Sequence, residues 1–381
     1  MDLRLTEEQE LLVENLAELL QRECPESYFR ECDEKHQYPE KYKKLLVENG
    51  YSLLGIPEEH GGTPADILTQ VLVLETCTRN GAPHYLWGEA IQIDDILAFG
   101  NDEQKKVCLE TAKRGYQPFA LGITEPQAGS DNASMTTTAT RKNGKVYING
   151  QKTLISYLNK SPYILVLTRD LENPNPHKAV SMWLVPTDAP GVKINHFNKI
   201  GWFMTTTSEV FLDNVEIDES ALVGKEGQGF MQLMHNFEIE RIMACAGRLG
   251  SCQAAYDDAV RYASQREQFG KPIGSFQLIQ EKITDMAIKL ENMRNMVYKC
   301  AWQKDNGISG QISTALAKRY CAIAGGEIFE EALQIHGGIG YTSETRVSRL
   351  WRDGRVSKIG GGTTEIMVHI AGRALLKEYS R

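Results

Sequence analysis

The chain has 381 residues, too many for one ordinary hydrophobic core, so two or three domains are expected. A hydrophobic share of 41% and a charged share of 24% belong to a soluble globular protein, and no apolar run reaches the length that spans a bilayer, so no membrane insertion is expected. The net charge of −8 argues against a nucleic-acid partner, which calls for a basic face. The segment Met1-Asp2-Leu3-Arg4-Leu5-Thr6 lacks a basic start followed by an apolar stretch, so neither a secretory signal nor a transit peptide is read there and a cytoplasmic protein is expected. Eight cysteines stand at 24, 32, 77, 108, 245, 252, 300 and 321 with no Cys-x-x-Cys pair, which predicts reduced thiols acting as small core residues.

In chain order, Thr6 followed by Gln9 has the form of a capping box, and Leu12, Leu16, Leu19 and Leu20 then repeat at helical spacing. Helical patterns continue over residues 42–49 and 65–78, interrupted at Pro57 and at Gly61 and Gly62. Composition changes near Phe119. From there to about Val223 the text is strand-like: residues 135–140 and 145–148 flank the hairpin signal Asn143-Gly144, and 163–168 and 179–185 are short apolar runs. Residues 209–212 and 215–217 flank a further turn signal, Asp213-Asn214, so several short strands in a sandwich or barrel are predicted. From Gly229 onward helices return. Ile279, Ile283, Met286, Leu290, Met293, Val297 and Cys300 step by four and three residues, a seam suited to a helix bundle. A second helix over 314–333 carries Ala315, Ala322, Ala324 and Ala332, small enough for close helix contact. Helices, then strands, then helices argue for separate domains and against a βαβ nucleotide fold.

Three motifs sit at element boundaries. In Ile123-Thr124-Glu125-Pro126-Gln127-Ala128-Gly129-Ser130-Asp131, Pro126 and Gly129 force a loop whose amides and short polar groups suit a flavin edge or a phosphate; an ordinary turn into a strand is the plainer alternative. Arg266-Glu267-Gln268-Phe269-Gly270 ends one helical pattern and Gln277 opens the next, so Arg266 either pairs with pyrophosphate or favours a helix C-terminus. Gln334-Ile335-His336-Gly337-Gly338-Ile339-Gly340-Tyr341 lacks the preceding strand of a Rossmann fingerprint, which rejects that reading, but its glycines permit close backbone approach to a nucleotide; His336 is read as structural. No metal-ligand cluster, nucleophile elbow or P-loop stands out, and Glu58-Glu59-His60 reads as a solvated turn.

Those three motifs, with Asn149-Gly150-Gln151-Lys152 and Gly362-Thr363-Thr364-Glu365 in register, resemble the acyl-CoA dehydrogenase family over essentially the whole chain. The resemblance implies an α+β fold with an N-terminal helical domain (1–118), a central antiparallel β domain (119–224) and a C-terminal four-helix bundle (225–381), assembled as a homotetramer with FAD between domains and subunits. By position, Leu121, Ile123, Thr124, Gly129 and Ser130 are implied to line the flavin, with Leu154 and Ser156 against its ring; many relatives have Trp where Leu154 stands. Arg266, Phe269 and Gln277, with Gln334, Gly337 and Gly338, are implied to hold the pyrophosphate and adenine of a neighbouring subunit's FAD, while Thr363 and Glu365 bind the other end. Within the family, residues 5–11 and Trp351-Arg352-Asp353-x-Arg355 are similar to the bacterial crotonobetainyl-CoA reductase-like group, which favours reduction as the direction in the cell.

One departure decides the mechanism. Many relatives have Tyr-Glu-Gly-Thr where this chain has Gly360-Gly361-Gly362-Thr363, and Gly361 offers no base. A branch that includes isovaleryl-CoA dehydrogenase carries the base in a Glu-Arg pair on the first helix of its C-terminal domain, the position of Glu240-Arg241 here. The resemblance therefore implies Glu240 as the α-proton acceptor, with Glu238 and Glu365 as the other candidates, and Ser130, Phe237 and Arg241 on the substrate. Residues 83–87 and 231–237 are expected to floor the acyl pocket. A short-chain acyl-CoA or enoyl-CoA and an electron-transferring flavoprotein are the implied partners. The alternatives are a flavin oxidase or monooxygenase on the same scaffold, and a non-catalytic nucleic-acid-associated relative, which would carry a basic C-terminal extension.

Overall fold

The protein is described by a computed structural model covering residues 4–380 apart from 88. The first segment is helical: α1 (Glu7–Glu23), α2 (Glu26–Glu34), α3 (Glu40–Glu48), α4 (Ile67–Arg79), α5 (Glu89–Phe99) and α6 (Asp102–Ala112). The capping box at Thr6 is present, with the Gln9 amide donating to Thr6 Oγ1 at 3.2 Å and the Thr6 amide donating to Gln9 Oε1 at 3.1 Å. Leu16 and Leu20, one turn apart on α1, are fully buried in a core shared with Phe29, Tyr42 and Cys77.

The middle segment holds β1 (Phe119–Gly122), β2 (Thr138–Lys142), β3 (Lys145–Ser156), β4 (Tyr163–Arg169), β5 (Val180–Pro186), β6 (Val192–His196), β7 (Thr207–Ile217) and β8 (Leu222–Val223). They form two four-stranded sheets, ordered β1-β4-β5-β8 and β2-β3-β7-β6. Inward-facing Val146, Ile148, Ile164, Val166, Trp183 and Val210 fill the space between them. Asn143 (φ 53°) and Gly144 (φ 76°) both take left-handed backbone, as the tight hairpin between β2 and β3 requires. Two expectations need correction. The β domain is not purely antiparallel, because β1 pairs with β4 in parallel; the long route through β2 and β3 gives the chain room to cross over. Asp213-Asn214 is not a turn between two strands. Both residues lie inside β7, where Asn214 absorbs a local irregularity with φ 49°, a value that asparagine tolerates.

The last segment comprises α7 (Gly229–Leu233), α8 (Phe237–Gln265), a small hairpin of β9 (Glu267–Gln268) and β10 (Lys271–Pro272), α9 (Gln277–Asp305), α10 (Gln311–His336), α11 (Arg346–Gly354) and α12 (Thr364–Tyr379). The predicted seam on α9 is the buried one: Met286, Leu290, Met293, Val297 and Cys300 pack into the bundle core. The alanines of α10 are buried as their size suggests, and all eight cysteines are free and buried.

Helix α11 fastens the three segments to one another. Arg352 Nη2 donates to both oxygens of Asp33 on α2 at 2.6 and 2.8 Å. Asp353 Oδ1 accepts the amide of Trp202, in the β segment, at 2.8 Å. Arg349 Nη2 donates to Glu26 at 2.7 and 2.8 Å, and to Gly81 O. The motif Trp351-Arg352-Asp353 is thus a structural joint.

A buried cation is left incompletely satisfied in the bundle. Arg248 on α8 is 2% exposed; its Nη2 donates to Gly354 O at 2.6 Å and its guanidinium lies 4.7 Å from the Phe329 ring centre. Its Nε and Nη1 have no hydrogen-bond partner among the described residues. Burial lowers its pKa, as an uncompensated interior charge requires. A volume-matched apolar residue removes that cost, so Arg248→Met is expected to stabilise the protein by roughly 1–4 kcal/mol. Chemical denaturation of the two proteins checks this, and a lower midpoint for the variant would contradict it.

Candidate active site

The predicted flavin loop is held from below by a buried ion pair. Glu125 and Lys152 have side chains 1% and 0% exposed and meet at 2.7 Å. Glu125 Oε2 also accepts from the Thr136 amide at 2.6 Å, Thr136 Oγ1 at 2.9 Å and Gln127 Nε2 at 2.7 Å, and its Oε1 accepts from the Thr137 amide at 2.9 Å. Lys152 Nζ donates further to Ile123 O at 3.1 Å. Burial works against the Glu125 carboxylate, but the Lys152 ammonium and these donors outweigh it and hold the carboxyl well below the usual range. The motif residues Glu125 and Lys152 are therefore scaffold: they fix the shape of the loop that carries Thr124, Gly129 and Ser130.

The same strand brings the next predicted residues alongside. The Thr153 amide donates to Thr124 O at 2.8 Å, which ties β3 to the loop. Leu154 follows in left-handed backbone (φ 58°) at a register shift of β3, and its side chain is 62% exposed. A large apolar residue both strained and exposed suits a surface covered by something flat. Gly129 is equally open, with nothing within 4 Å of where a Cβ would stand. Leu121 near the end of β1 and Ile123 at the start of the loop are partly buried against the core, and Ser156 is half-buried at the end of β3. The next residue, Tyr157, donates its hydroxyl to Tyr85 O, and burial, with Glu89 and Glu240 as nearby charges, raises its pKa.

Glu240 lies in the first turn of α8, its amide donating to Asn236 O at 2.9 Å. A Cβ on Gly361 would stand 3.5 Å from Glu240 Oε1 and 3.4 Å from Lys318 Nζ. The carboxylate of the helix thus reaches the edge of the glycine run. Burial pushes the Glu240 carboxyl upward, against the lowering effects of Lys318 and Arg241. The Arg241 guanidinium lies 5.5 Å from the Phe237 ring centre. The other candidate acids are placed elsewhere. Glu238 lies beside Gly310, between α9 and α10, and Glu365 is exposed in the first turn of α12, accepting from Thr364 Oγ1 at 2.9 Å. Thr363 caps α12, its Oγ1 accepting from the Ile366 amide at 3.1 Å.

A second acid interacts electrostatically with Glu240. Asp95 on α5 accepts from Asn236 Nδ2 at 2.9 Å. Burial first, then Asp94 and Glu240, push its carboxyl up to about 8. An acid raised in the folded state stabilises the fold below its unfolded pKa of about 3.9 and loses that contribution as pH rises towards 8. Asp95→Asn keeps an acceptor for Asn236 and cannot ionise. The variant is expected to gain on the order of 1–3 kcal/mol relative to wild type between pH 4 and pH 8. Denaturation at the two pH values checks this, and parallel pH dependence in both proteins would refute it.

The remaining predicted residues gather at the far end of the bundle. Arg266 ends α8, and Phe269 (93% exposed, φ 53°) with Gly270 (φ 77°) forms the tip of the β9–β10 hairpin. Gln277 opens α9, and Gln334, Gly337 and Gly338 are exposed at the end of α10. Tyr262 of α8 stacks on His336 of α10 at 4.6 Å, joining the two groups; His336 also bonds Ala332 O at 2.7 Å, the structural role read for it. Among the described residues, no hydrogen bond links this end to the Ile123–Ser130 loop.

Family models cover this arrangement in three consecutive pieces: the acyl-CoA dehydrogenase N-terminal domain over residues 6–115, the middle domain over 120–215 and the C-terminal domain over 227–376. The chain is 53% identical, over 380 residues, to the probable acyl-CoA dehydrogenase YdiO of Escherichia coli K12, a match spanning 100% of this chain and 99% of that one. The chain belongs to the acyl-CoA dehydrogenase family. Its fold matches glutaryl-coenzyme A dehydrogenase in complex with glutaryl-CoA at a TM-score of 0.90, with 28% identity over 99% of this chain and 97% of the other. Butyryl-CoA dehydrogenase from Megasphaera elsdenii matches at 0.89, with 29% identity over 99% and 100%. A chain described under the electron transferring flavoprotein of Acidaminococcus fermentans matches at 0.90, with 30% identity over 99% and 100%.

This acyl-CoA dehydrogenase is accordingly an oxidoreductase of the CH–CH group of acyl-CoA, from a family of flavoproteins. Three residues at its site escaped the sequence reading: Asp95, Tyr157 and Lys318. Lys318 alone carried a signal. It lies three residues after Ala315 and four before Ala322, on the small-residue face of α10, where a charge is out of place unless it has partners.

Proposed function

We propose that this chain is an FAD-dependent acyl-CoA dehydrogenase or enoyl-CoA reductase acting on short-chain thioesters, in which Glu240 takes or returns the proton at Cα. The observation that carries the reading is the approach of Glu240 Oε1 to within 3.5 Å of the Cβ position of Gly361, the place from which relatives of the other branch present their base. Bound FAD supplies the acceptor or donor for the hydride at Cβ. Thr124, Gly129 and Ser130 offer backbone and small polar groups to it, with Leu154 and Ser156 on its flank. Arg266, Phe269, Gln277, Gln334, Gly337 and Gly338 would meet the far end of FAD held by another copy of the chain, within a homotetramer. Exposed Phe269, Leu278, Ile339 and Tyr341 at that end support a covered surface. Thr363 and Glu365 contribute at the start of α12.

The chain's own groups account for the proton step. A Cα proton beside a thioester is weakly acidic, and a carboxylate lifted by burial is a stronger base than one in water. Phe237 and Arg241, one turn of α8, would bind the acyl and CoA portions. Similarity to a chain described under an electron transferring flavoprotein supports such a protein as redox partner, and reduction of an enoyl-CoA is the favoured direction in the cytoplasm. Anaerobic titration of the purified yellow protein with saturated CoA esters is expected to bleach the flavin, most completely with a short chain. Persistence of the oxidised spectrum with every ester would defeat the proposal.

A further inference from the structure

The buried cation beside the glycine run has a geometry that the proposed reaction does not yet use. Lys318 on α10 is 6% exposed. Its Nζ donates to three consecutive carbonyls, Gly360 O at 2.7 Å, Gly361 O at 2.6 Å and Gly362 O at 2.5 Å. An ammonium has three N–H bonds, and these carbonyls take all of them. Three successive carbonyls can turn towards one point because Gly361 (φ 62°) and Gly362 (φ 89°) both adopt left-handed backbone, which side chains rarely tolerate. The run therefore has a purpose beyond leaving the position at 361 empty: it wraps a charge. That charge lies against the Cβ position of Gly361, which also faces Glu240 Oε1. With no N–H left for Glu240, Lys318 acts on the carboxylate through space, where a poorly hydrated setting makes the attraction strong.

We propose that Lys318 is the positioning residue for the base: it pins residues 360–362 clear of the Glu240 carboxylate and holds that carboxylate in its charged form. The inference rests on Glu240 being the proton acceptor. The charged and titratable groups acting on Lys318 are Cys245, Glu240 and Arg241, all from α8. Burial, partly offset by Cys245 and Glu240, brings the Lys318 ammonium down to about 8. The pin therefore loosens as pH rises through that value, since a neutral amine has two N–H bonds for three carbonyls and no charge for Glu240.

Two readouts test this in the holoenzyme. The first is amide hydrogen exchange of the peptide spanning residues 355–366, corrected for intrinsic rates at each pH. Wild type is expected to lose protection roughly tenfold between pH 7 and pH 9, and Lys318→Met to be unprotected throughout. The second is the pH profile of kcat. In Lys318→Met the acid limb is expected to move up by about one unit, with KM little changed, and Lys318→Arg is expected to return the limb towards wild type. A role in stability alone lowers the melting temperature without moving the limb. An unmoved acid limb in folded, flavin-bearing Lys318→Met, or constant protection of wild type across pH 7–9, overturns the inference. Should Lys318→Met fail to fold, the wild-type exchange series decides. Failure of the parent reading looks different: Glu240→Gln would stay active while the exchange results stand.

Discussion

Replacing Glu240 with Gln is expected to leave the protein folded and yellow and to slow turnover by roughly 10²–10⁴-fold, the usual worth of a positioned base. The amide keeps the shape of the side chain, and the Glu240 carboxylate forms no salt bridge among the described residues, so the loss falls on proton transfer. In wild type, activity should fall as pH drops through the pKa of Glu240. Burial raises that pKa, so the acid limb should lie above the ordinary glutamate value of about 4.3. The limb should vanish from whatever activity Glu240→Gln retains. The geometry also predicts a partial rescue. A glutamate placed at Gly361 starts 3.5 Å from the old carboxylate oxygen, so Glu240→Gly combined with Gly361→Glu should recover part of the lost rate. Recovery should be incomplete, because a non-glycine residue at φ 62° costs on the order of 1–3 kcal/mol and the new Cβ crowds Lys318 Nζ at 3.4 Å. Near wild-type turnover by Glu240→Gln would assign the base elsewhere.

Lys152→Met is expected to cost roughly 3–5 kcal/mol, because it strands the Glu125 carboxylate in a dry interior. Glu125 retains its Thr136, Thr137 and Gln127 donors, yet no cation among the described residues remains to balance it. The pH dependence has a definite sign. A carboxyl lowered in the folded state stabilises above its unfolded value of about 4.3, and the contribution fades as pH falls towards about 2. Wild type should therefore weaken in acid more steeply than Lys152→Met does. The double variant Glu125→Gln with Lys152→Met should be less damaged than Lys152→Met alone, a coupling that a thermodynamic cycle measures. Because the pair sets the loop carrying Thr124 and Ser130, flavin retention should fall with stability. Equal stability of Lys152→Met and wild type would show that the pair is dispensable.

Much of this molecule is written locally. Capping at Thr6, the Asn143-Gly144 hairpin and the four-and-three stepping on α9 are short-range signals, and the structure contains all of them. Long-range pairing is different. Nothing near Phe119 or Tyr163 announces that their strands run parallel, and the Asp213-Asn214 pair has turn chemistry that the flanking ladder of β7 overrides. The site shows the same division. The loop at Ile123 and the glycine run at 360–362 could be found from composition, but not their supports. In the sequence Glu125 is one residue of a loop motif and Lys152 the end of a separate motif; only their 2.7 Å contact across 27 positions makes them a foundation. Asp95 meets Asn236 from another helix, 141 residues away in the chain, a distance no periodicity covers.

Helix α11 has a thermodynamic corollary. Its nine residues reach Asp33 and Glu26 in the first segment and the Trp202 amide in the second, while belonging to the third. Loosening any one segment strips partners from charges that are buried or nearly so, and the penalty is felt in the other two. Melting should then be a shared event, with one endotherm in place of three. A lesion in this helix would be read out as loss of the whole protein, far from any catalytic atom.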